Sequence, residues 1–195
     1  MTPLALALAA VLLTPPDSPR WDAAGQVAWL SGTQPSTPAD FRGWFDAATI
    51  GATAGFYISP HLKVEGGIDT STRGTFYTTE RRPLPGSPFP MFVSSQHAVA
   101  VRTVSAVAAY QFFENTWVHP FVSGGAELAR ADDRIETLPD PHATSVTATT
   151  VRPTLGGGAK FYVSPRAFVR TDARWTFDRS GVARVSWRGG IGFDF

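Results

Sequence analysis

The C-terminal part of the chain alternates between apolar and polar residues. The odd-numbered positions from 185 to 195 read Val, Trp, Gly, Ile, Phe and Phe, whereas the even-numbered positions from 184 to 194 read Arg, Ser, Arg, Gly, Gly and Asp. A helix would scatter these two sets around its axis, but a β-strand places them on opposite faces. The segment is therefore predicted to be a strand with one apolar and one polar face.

The same period of two recurs from Trp21 to the end of the chain. Strands are predicted near residues 21–31, 43–58, 62–78, 96–113, 117–134, 147–163, 166–178 and 182–195. An even number of strands, each of about ten residues or more, is typical of bacterial outer-membrane barrels. The predicted fold is all-β: an eight-stranded, antiparallel, up-and-down transmembrane β-barrel.

The connections between these strands are of two kinds. Phe-Tyr-Ile-Ser-Pro at 56–60 is repeated as Phe-Tyr-Val-Ser-Pro at 161–165, and residues 112–117 offer a third tight turn. Between them lie longer segments rich in Pro, Gly, Thr and charge, namely Thr33 to Arg42, Thr79 to Gln96 and Arg134 to Ser145. The last connection, Asp178 to Val182, is short. Short turns that alternate with long loops predict a meander.

The polar faces of the predicted strands carry charges of both signs. An eight-stranded barrel has a lumen just wide enough for its own side chains, and charges placed there need partners. We predict a lumen charge network formed by Lys63, Glu65, Asp69, Glu127, Arg152, Lys160, Arg170, Asp172, Arg174, Arg184, Arg188 and Asp194. Alternation alone also permits the reverse arrangement, a soluble lipocalin-like barrel that binds a ligand inside.

The N-terminus is predicted to be a secretory signal peptide. Residues 4–13 are an uninterrupted apolar run that is too short to span a bilayer as a helix. No Lys or Arg precedes the run. No clean A-x-A site follows it, so the cleavage site is left open within a leader of residues 1–20, and residues 21–195 are predicted to form the barrel. The absence of cysteine excludes disulfides and thiolate metal sites. A net charge of +1 offers no basic surface for nucleic acid.

Two segments resemble a known family. Residues 117–126 (Trp-Val-His-Pro-Phe-Val-Ser-Gly-Gly-Ala) resemble a strand start of OmpA-like and OmpX-like outer-membrane barrels. Residues 156–166 with 170–177 resemble the penultimate hairpin of that family. The resemblance implies a monomer in the bacterial outer membrane, in contact with membrane lipid and lipopolysaccharide. The terminal aromatic Phe195 resembles the assembly signal that the barrel-assembly machinery recognises.

No catalytic, cofactor-binding or metal-binding set is predicted. His119, Ser123 and Glu127 share one strand face, but neighbouring members are about 13 Å apart, too far for direct hydrogen bonds. Arg81 and Arg82 are loop contact candidates for lipopolysaccharide or a host ligand, although a solvated basic turn is the commoner explanation for such a pair. The predicted function is a non-enzymatic structural or surface-interaction role. A lipid-modifying enzyme, a narrow passive channel and the soluble barrel remain alternatives.

Overall fold

The computed structural model describes residues 21–33, 44–83, 89–113, 117–138, 143–179 and 181–195, and the predicted leader, residues 1–20, lies outside these ranges. The strands are β1 (Trp21–Thr33), β2 (Trp44–Tyr57), β3 (Leu62–Ser71), β4 (Gly74–Arg82), β5 (Met91–Gln111), β6 (Val118–Leu138), β7 (Ala143–Tyr162), β8 (Ala167–Asp178) and β9 (Gly181–Asp194). None of the described residues belongs to a helix with the length and apolar character needed to cross a membrane.

Strand pairing closes the chain into a ring. All pairs are antiparallel, and β1 pairs with both β2 and the last strand, β9. β3 and β4 share one position in the ring, because β3 pairs with the lower part of β5 and β4 with its upper part. The ring therefore has eight positions, which confirms the predicted eight-stranded meander. The third predicted strand, 62–78, is divided at Thr72 and Arg73.

The ring closes with a stagger. From Val27 on β1, a row of directly paired residues reaches Thr149 on β7 through Ile50, Thr70, Arg102 and Arg130. In the other direction the row reaches Ala159 on β7 through Gly189 and Thr171. Tilted barrel strands produce such a stagger. Along the first path the row climbs towards the end of the barrel that carries the long hairpins, which we call the upper end.

Burial follows the predicted alternation, with the apolar side chains outside. On β5 every odd residue from Val101 to Gln111 is buried and every even residue in between is exposed. Large apolar side chains face outwards around the ring, including Val27 at 64%, Ile50 at 64% and Ile68 at 61% exposure. An apolar band of this extent suits lipid and not water. The arrangement rejects the lipocalin-like alternative, in which the apolar face would be buried.

The short turns at the lower end share one construction. Ile58 and Ser59 donate backbone hydrogen bonds to the Leu62 carbonyl, and Val163 and Ser164 donate equivalent bonds to the Ala167 carbonyl. In return, the Ser59 and Ser164 hydroxyls accept hydrogen bonds from the Leu62 and Ala167 amides at 3.0 and 2.9 Å. Serine hydroxyls often stabilise turns in this way. The repeated Tyr-x-Ser-Pro sequence therefore encodes the same turn twice.

Two of the predicted long loops are mostly strand, which corrects the sequence-based boundaries. β4 continues to Arg82 and β5 begins at Met91, within the predicted loop Thr79 to Gln96. β6 continues to Leu138 and β7 begins at Ala143, within the predicted loop Arg134 to Ser145. Cross-strand pairing overrides the low apolar content of these segments. Most of the loop Thr33 to Arg42 lies outside the described residues, whereas the predicted short turn after Asp178 is present.

The extended strands form a sheet above the barrel wall. Within the described ranges, β4 pairs with β5 alone and residues 143–153 of β7 pair with β6 alone, because pairing with β8 starts at Thr154. The upper parts of β4, β5, β6 and β7 are thus a four-stranded continuation of the wall, which we call the upper sheet.

Candidate functional site

The lower lumen is filled by two lysines, two carboxylates and two tyrosines. The Lys63 ammonium donates to Asp22 Oδ2 at 2.7 Å, and Lys160 contacts the same oxygen. Lys160 also donates to the Tyr57 hydroxyl at 2.7 Å and lies 3.4 Å from Asp194. Tyr162 donates to Asp194. Every charge in this layer therefore has a partner of opposite sign.

A second layer lies above and is organised by two carboxylates. Glu65 contacts Lys63 at 2.8 Å, Arg170, and Arg174 at 3.7 Å. Asp172 accepts hydrogen bonds from Arg170 Nε at 2.9 Å and from Arg188 Nε and Nη2 at 2.8 and 2.6 Å. Because Lys63 touches carboxylates of both layers, the two form one continuous network.

The third layer is less complete. Arg184 pairs with Glu127, and Asp69 accepts hydrogen bonds from Gln26 at 2.6 Å and Thr103 at 3.4 Å. Beside them is a cavity of about 20 Å³, lined in part by Arg174, Arg184 and Arg188. Arg188 Nη1 is buried and has no hydrogen-bond partner among the described residues. The cavity has room for one water molecule, which can serve as such a partner.

Glycines make the space for this interior. A Cβ on Gly55 would lie 2.6 Å from Lys63 Cδ, and one on Gly158 would lie 2.6 Å from Asp172 Cα. Distances of this kind are not tolerated in packed interiors. The glycines on the polar faces of the strands therefore leave the space that long charged side chains on neighbouring strands occupy.

Apolar side chains occupy the upper lumen and form a buried cluster, which we call the apolar cap. The buried cluster consists of Leu30, Phe45, Ala47, Phe76, Val99, Val101, Ala129 and Ala131. These residues come from the inner faces of five strands near the upper end. The sequence analysis assigned only polar residues to the lumen and missed this apolar cap. In the sequence, the upper ends of these strands have apolar residues on both faces, and this pattern could have predicted the cap.

A hydroxyl–imidazole–carboxylate chain lies above the cap. His97 Nδ1 is 2.8 Å from Asp133 Oδ2, and His97 Nε2 is 2.9 Å from Thr78 Oγ1. The imidazole stacks on Phe76 with ring centroids 4.6 Å apart. The chain joins β4, β5 and β6. No local sequence motif indicates this chain, because the three partners of His97 are distant along the sequence.

The structure buries ten of the twelve predicted network residues in the lumen. The other two, Asp69 and Arg152, are only half-buried, and no ion pair of Arg152 is found in the described part of the chain. Asp22, which the sequence analysis left out, is a central member of the network. Asp22 lies on the same polar face of β1 as Gln26, and this position could have identified it as a lumen residue from the sequence.

The remaining predicted site residues lie at the ends of the molecule. Phe195 is 62% exposed at the lower end, where its backbone exchanges hydrogen bonds with Trp21. Arg81 and Arg82 lie on β4 in the upper sheet and not in a loop, and the Arg81 side chain is exposed. No hydrogen bond is found between His119 and Ser123 or Glu127, since His119 packs on Tyr162 and Glu127 pairs with Arg184.

The outer surface bears aromatic residues near both edges of the apolar band. Trp21, Tyr110, Phe161 and Phe193 lie near the lower end, and Trp29 and Trp187 pair directly nearer the upper end. Aromatic girdles of this kind mark the two membrane interfaces of transmembrane barrels.

Comparison with known proteins agrees with this geometry. A family model described as outer membrane protein beta-barrel domain matches residues 3–195. Neisserial surface protein A shares 13% identity at a TM-score of 0.62, over 90% of this chain and 97% of that one. The N-terminal barrel of Pseudomonas aeruginosa OprF shares 12% identity at a TM-score of 0.58, over 92% of this chain and 100% of that one. Ail, the attachment invasion locus protein of Yersinia pestis, shares 13% identity at a TM-score of 0.56, over 91% of this chain and 99% of that one.

No curated protein matches the chain significantly. The structural neighbours show the fold alone, but the family model covers nearly the whole length and the neighbours are themselves bacterial outer-membrane proteins. The closed ring, the apolar band and the family match agree, and the chain accordingly belongs to the outer membrane protein β-barrel domain family and resides in the bacterial outer membrane.

Proposed function

We propose that this chain is a non-enzymatic, non-conducting barrel that carries a rigid contact surface, the upper sheet, outside the cell. The observation that carries the proposal is the continuation of four paired strands beyond the apolar band, while the lumen beneath them is filled. In outer-membrane barrels the longer connections are extracellular and the shorter turns periplasmic. The upper sheet would then face outwards from the cell.

The filling of the lumen supports the non-conducting part of the proposal. Six buried cations, Lys63, Lys160, Arg170, Arg174, Arg184 and Arg188, face five buried carboxylates and the half-buried Asp69. Above them, the apolar cap blocks the path between the network and the outside. An ion would need to displace paired charges and cross an apolar layer. We expect no single-channel conductance in planar bilayers, and stepwise currents would contradict the proposal.

The orientation can be tested by labelling, because the chain has no cysteine. Ser145→Cys in the upper sheet should react with a membrane-impermeant maleimide on intact cells. Ser59→Cys and Ser164→Cys in the short turns should react only after the outer membrane is permeabilised. The reverse pattern would place the upper sheet in the periplasm and end the proposal.

The contact role can be tested by shortening both hairpins without touching the barrel. Thr78 pairs with Ser95, and Arg134 pairs with Ser145. Replacing residues 79–94 and 135–144 by Asn-Gly joins each pair through a two-residue turn suited to a hairpin. Cells with the wild-type or the shortened chain would be compared for adhesion to immobilised heparin, hyaluronan and gelatin. Loss of adhesion on shortening is expected, and equal adhesion to all three would contradict a contact role.

We also propose that the barrel acts as a monomer and that its assembly machinery reads the C-terminal strand through Phe195. The terminal aromatic is exposed at the lower end, where a recognition factor can reach it. Phe195→Ala should lower the amount of folded barrel in the outer membrane while leaving refolding in detergent unchanged. Equal losses in both would indicate a purely structural role for Phe195.

One observation favours a second candidate, a lipid-modifying enzyme. Thr78, His97 and Asp133 have the hydrogen-bond order of a nucleophile, base and orienting carboxylate. His97 is only 7% exposed and lies against Phe76, which leaves little room for a substrate. Mass spectra of lipid A from cells expressing the wild type or His97→Ala decide the matter. Identical spectra are expected, and a modification lost in the variant would establish the enzyme.

A further inference from the structure

Two arginines lie side by side on the outer wall of the barrel. Arg102 on β5 and Arg130 on β6 are directly paired residues, and both side chains are exposed on the outer face. The exposed fraction of the Arg130 side chain is 59%. They belong to the staggered row that climbs from Val27 through Ile50 and Thr70. They therefore lie well above Val27 along the barrel axis.

The apolar band ends immediately below this pair. Two residues down each strand, the outward positions are Val104 and Leu128, exposed at 55% and 45%. On the neighbouring β3, Ile68 lies next to Val104 and is exposed at 61%. On each strand, the next outward residue above the last apolar one is an arginine. This places both guanidinium groups at the boundary between the hydrocarbon core of the membrane and the lipid headgroups.

The charge of this pair is only partly compensated. Like charges directly opposite each other on a sheet destabilise it. Asp132 lies 3.4 Å from Arg130 Nε and also accepts a hydrogen bond from Thr147 at 2.8 Å. Within the described ranges, no carboxylate is within ion-pair distance of Arg102. A bridging anion would relieve the repulsion between the two guanidinium groups.

A groove in the apolar band leads up to Arg102. It measures about 360 Å³ and is lined by Ile50, Ala52, Ile68, Thr70, Val104 and the backbone around them, with Arg102 at its upper rim. At the groove, the small Ala52 on β2 is paired with the larger Ile68 on β3 and lies two positions along β2 from the larger Ile50. The short side chain of Ala52 leaves the space between them open. An apolar groove ending at a pair of cations matches a ligand with an acyl chain attached to a phosphorylated headgroup.

We infer that Arg102 and Arg130 bind a phosphate of lipid A, with one acyl chain in the groove beneath Arg102. The position at the upper edge of the band selects a lipid of the outer leaflet, and lipopolysaccharide is the phosphorylated lipid of that leaflet in Gram-negative bacteria. The site differs from Arg81 and Arg82, which lie higher in the upper sheet. The inference rests on the proposed orientation, with the upper end outside the cell, and is independent of any contact made by the upper sheet.

The test uses the full chain extracted from outer membranes, with lipid binding measured by native mass spectrometry. The probes are diphosphorylated lipid A, the same lipid without its phosphates, and phosphatidylglycerol. The variants are Arg102→Gln with Arg130→Gln, and Ala52→Phe, which fills the groove. Arg134→Gln is the matched control, because Arg134 is an exposed arginine on the outer face of β6 that already pairs with Glu136 at 3.0 Å. Each variant is first checked for a folded, heat-modifiable band.

The double variant should bind diphosphorylated lipid A about 30-fold more weakly, which corresponds to about 1 kcal/mol for each interfacial arginine. Ala52→Phe should weaken binding of both lipid A forms, and Arg134→Gln should change it less than about twofold. The inference would be overturned by an unchanged affinity in the double variant, by equal binding of the phosphate-free lipid, or by an equal loss in Arg134→Gln. Equal affinity for phosphatidylglycerol would also overturn it, by showing a site for any anionic lipid.

Discussion

Three buried carboxylates of the lumen contact more than one cation. Asp22 contacts Lys63 and Lys160, Glu65 contacts Lys63, Arg170 and Arg174, and Asp172 contacts Arg170 and Arg188. Loss of Glu65 therefore removes a partner from three cations, and Arg174 keeps no other ion pair among the described residues. The cost of removing one partner of a buried pair is much larger than the net stabilisation by the intact pair.

Glu65→Gln should lower the free energy of unfolding by about 3–5 kcal/mol, since the side chain keeps its shape but loses its charge. Urea titration of the refolded barrel in lipid vesicles measures the change. Glu136→Gln is the control, because its pair with Arg134 is exposed at 52% and 42% and should contribute at most about 1 kcal/mol. Equal effects of the two substitutions would contradict a tightly coupled network.

Two glycines provide a steric test of the filled lumen. Gly158→Ala places a methyl group against the Thr171 carbonyl and the Asp172 backbone, which cannot move without disturbing β8. We expect a loss of about 1–3 kcal/mol of stability. At Gly189 an added Cβ meets nothing within 4 Å, so Gly189→Ala should be almost neutral. The same urea titration measures both, and the prediction fails if Gly189→Ala costs as much as Gly158→Ala.

Among the elements, β4 of the upper sheet pairs with a single strand, β5, within the described part of the chain, so side-chain bonds add to its stability. His97 supplies a link from β5 to Thr78 on β4 and to Asp133 on β6. The stacking of its ring on Phe76 adds a contact between the same two hairpin strands. The connection explains how the sheet is held in register above the wall.

Thr78→Val removes one hydroxyl at constant shape and should weaken β4 pairing by about 0.5–1.5 kcal/mol. Hydrogen exchange should then accelerate at β4 amides and stay unchanged in β8 and β9. The neighbouring Thr79→Val is the control, because the Thr79 hydroxyl meets Ser94 at 3.3 Å on the exposed side. Equal acceleration in both variants would show that the contact with His97 does not hold the sheet.

For the whole molecule, the closed ring predicts heat-modifiable migration. Pairing of β1 with β9 leaves the barrel wall without a free edge at the level of the apolar band, so detergent finds no exposed backbone at which to begin unfolding. Washed outer membranes analysed on a denaturing gel should show a band that shifts on boiling. A soluble band without a shift would contradict a transmembrane ring.

The alternation of Lys63, Glu65 and Asp69 with Val64, Gly66 and Ile68 was sufficient to predict strand β3 and its inward charges. The same reasoning could not connect Asp22 with Lys160, because these residues are 138 positions apart and meet only when β1 and β9 close the ring. It also started β5 too late, at Gln96, and ended β6 too early, at Arg134, since hairpin pairing stabilises polar segments that have no apolar alternation.

The local sequence alone determined the strands, the division of each strand into an apolar and a polar face, and the short turns, because a period of two and Tyr-x-Ser-Pro turns act over a few residues. Only the tertiary structure decided that the apolar faces are exposed, which charges pair, where the apolar cap lies in the lumen, and that Arg102 stands beside Arg130. Those features depend on register and stagger between strands. Register is a property of pairs of distant segments, and a single strand does not contain it.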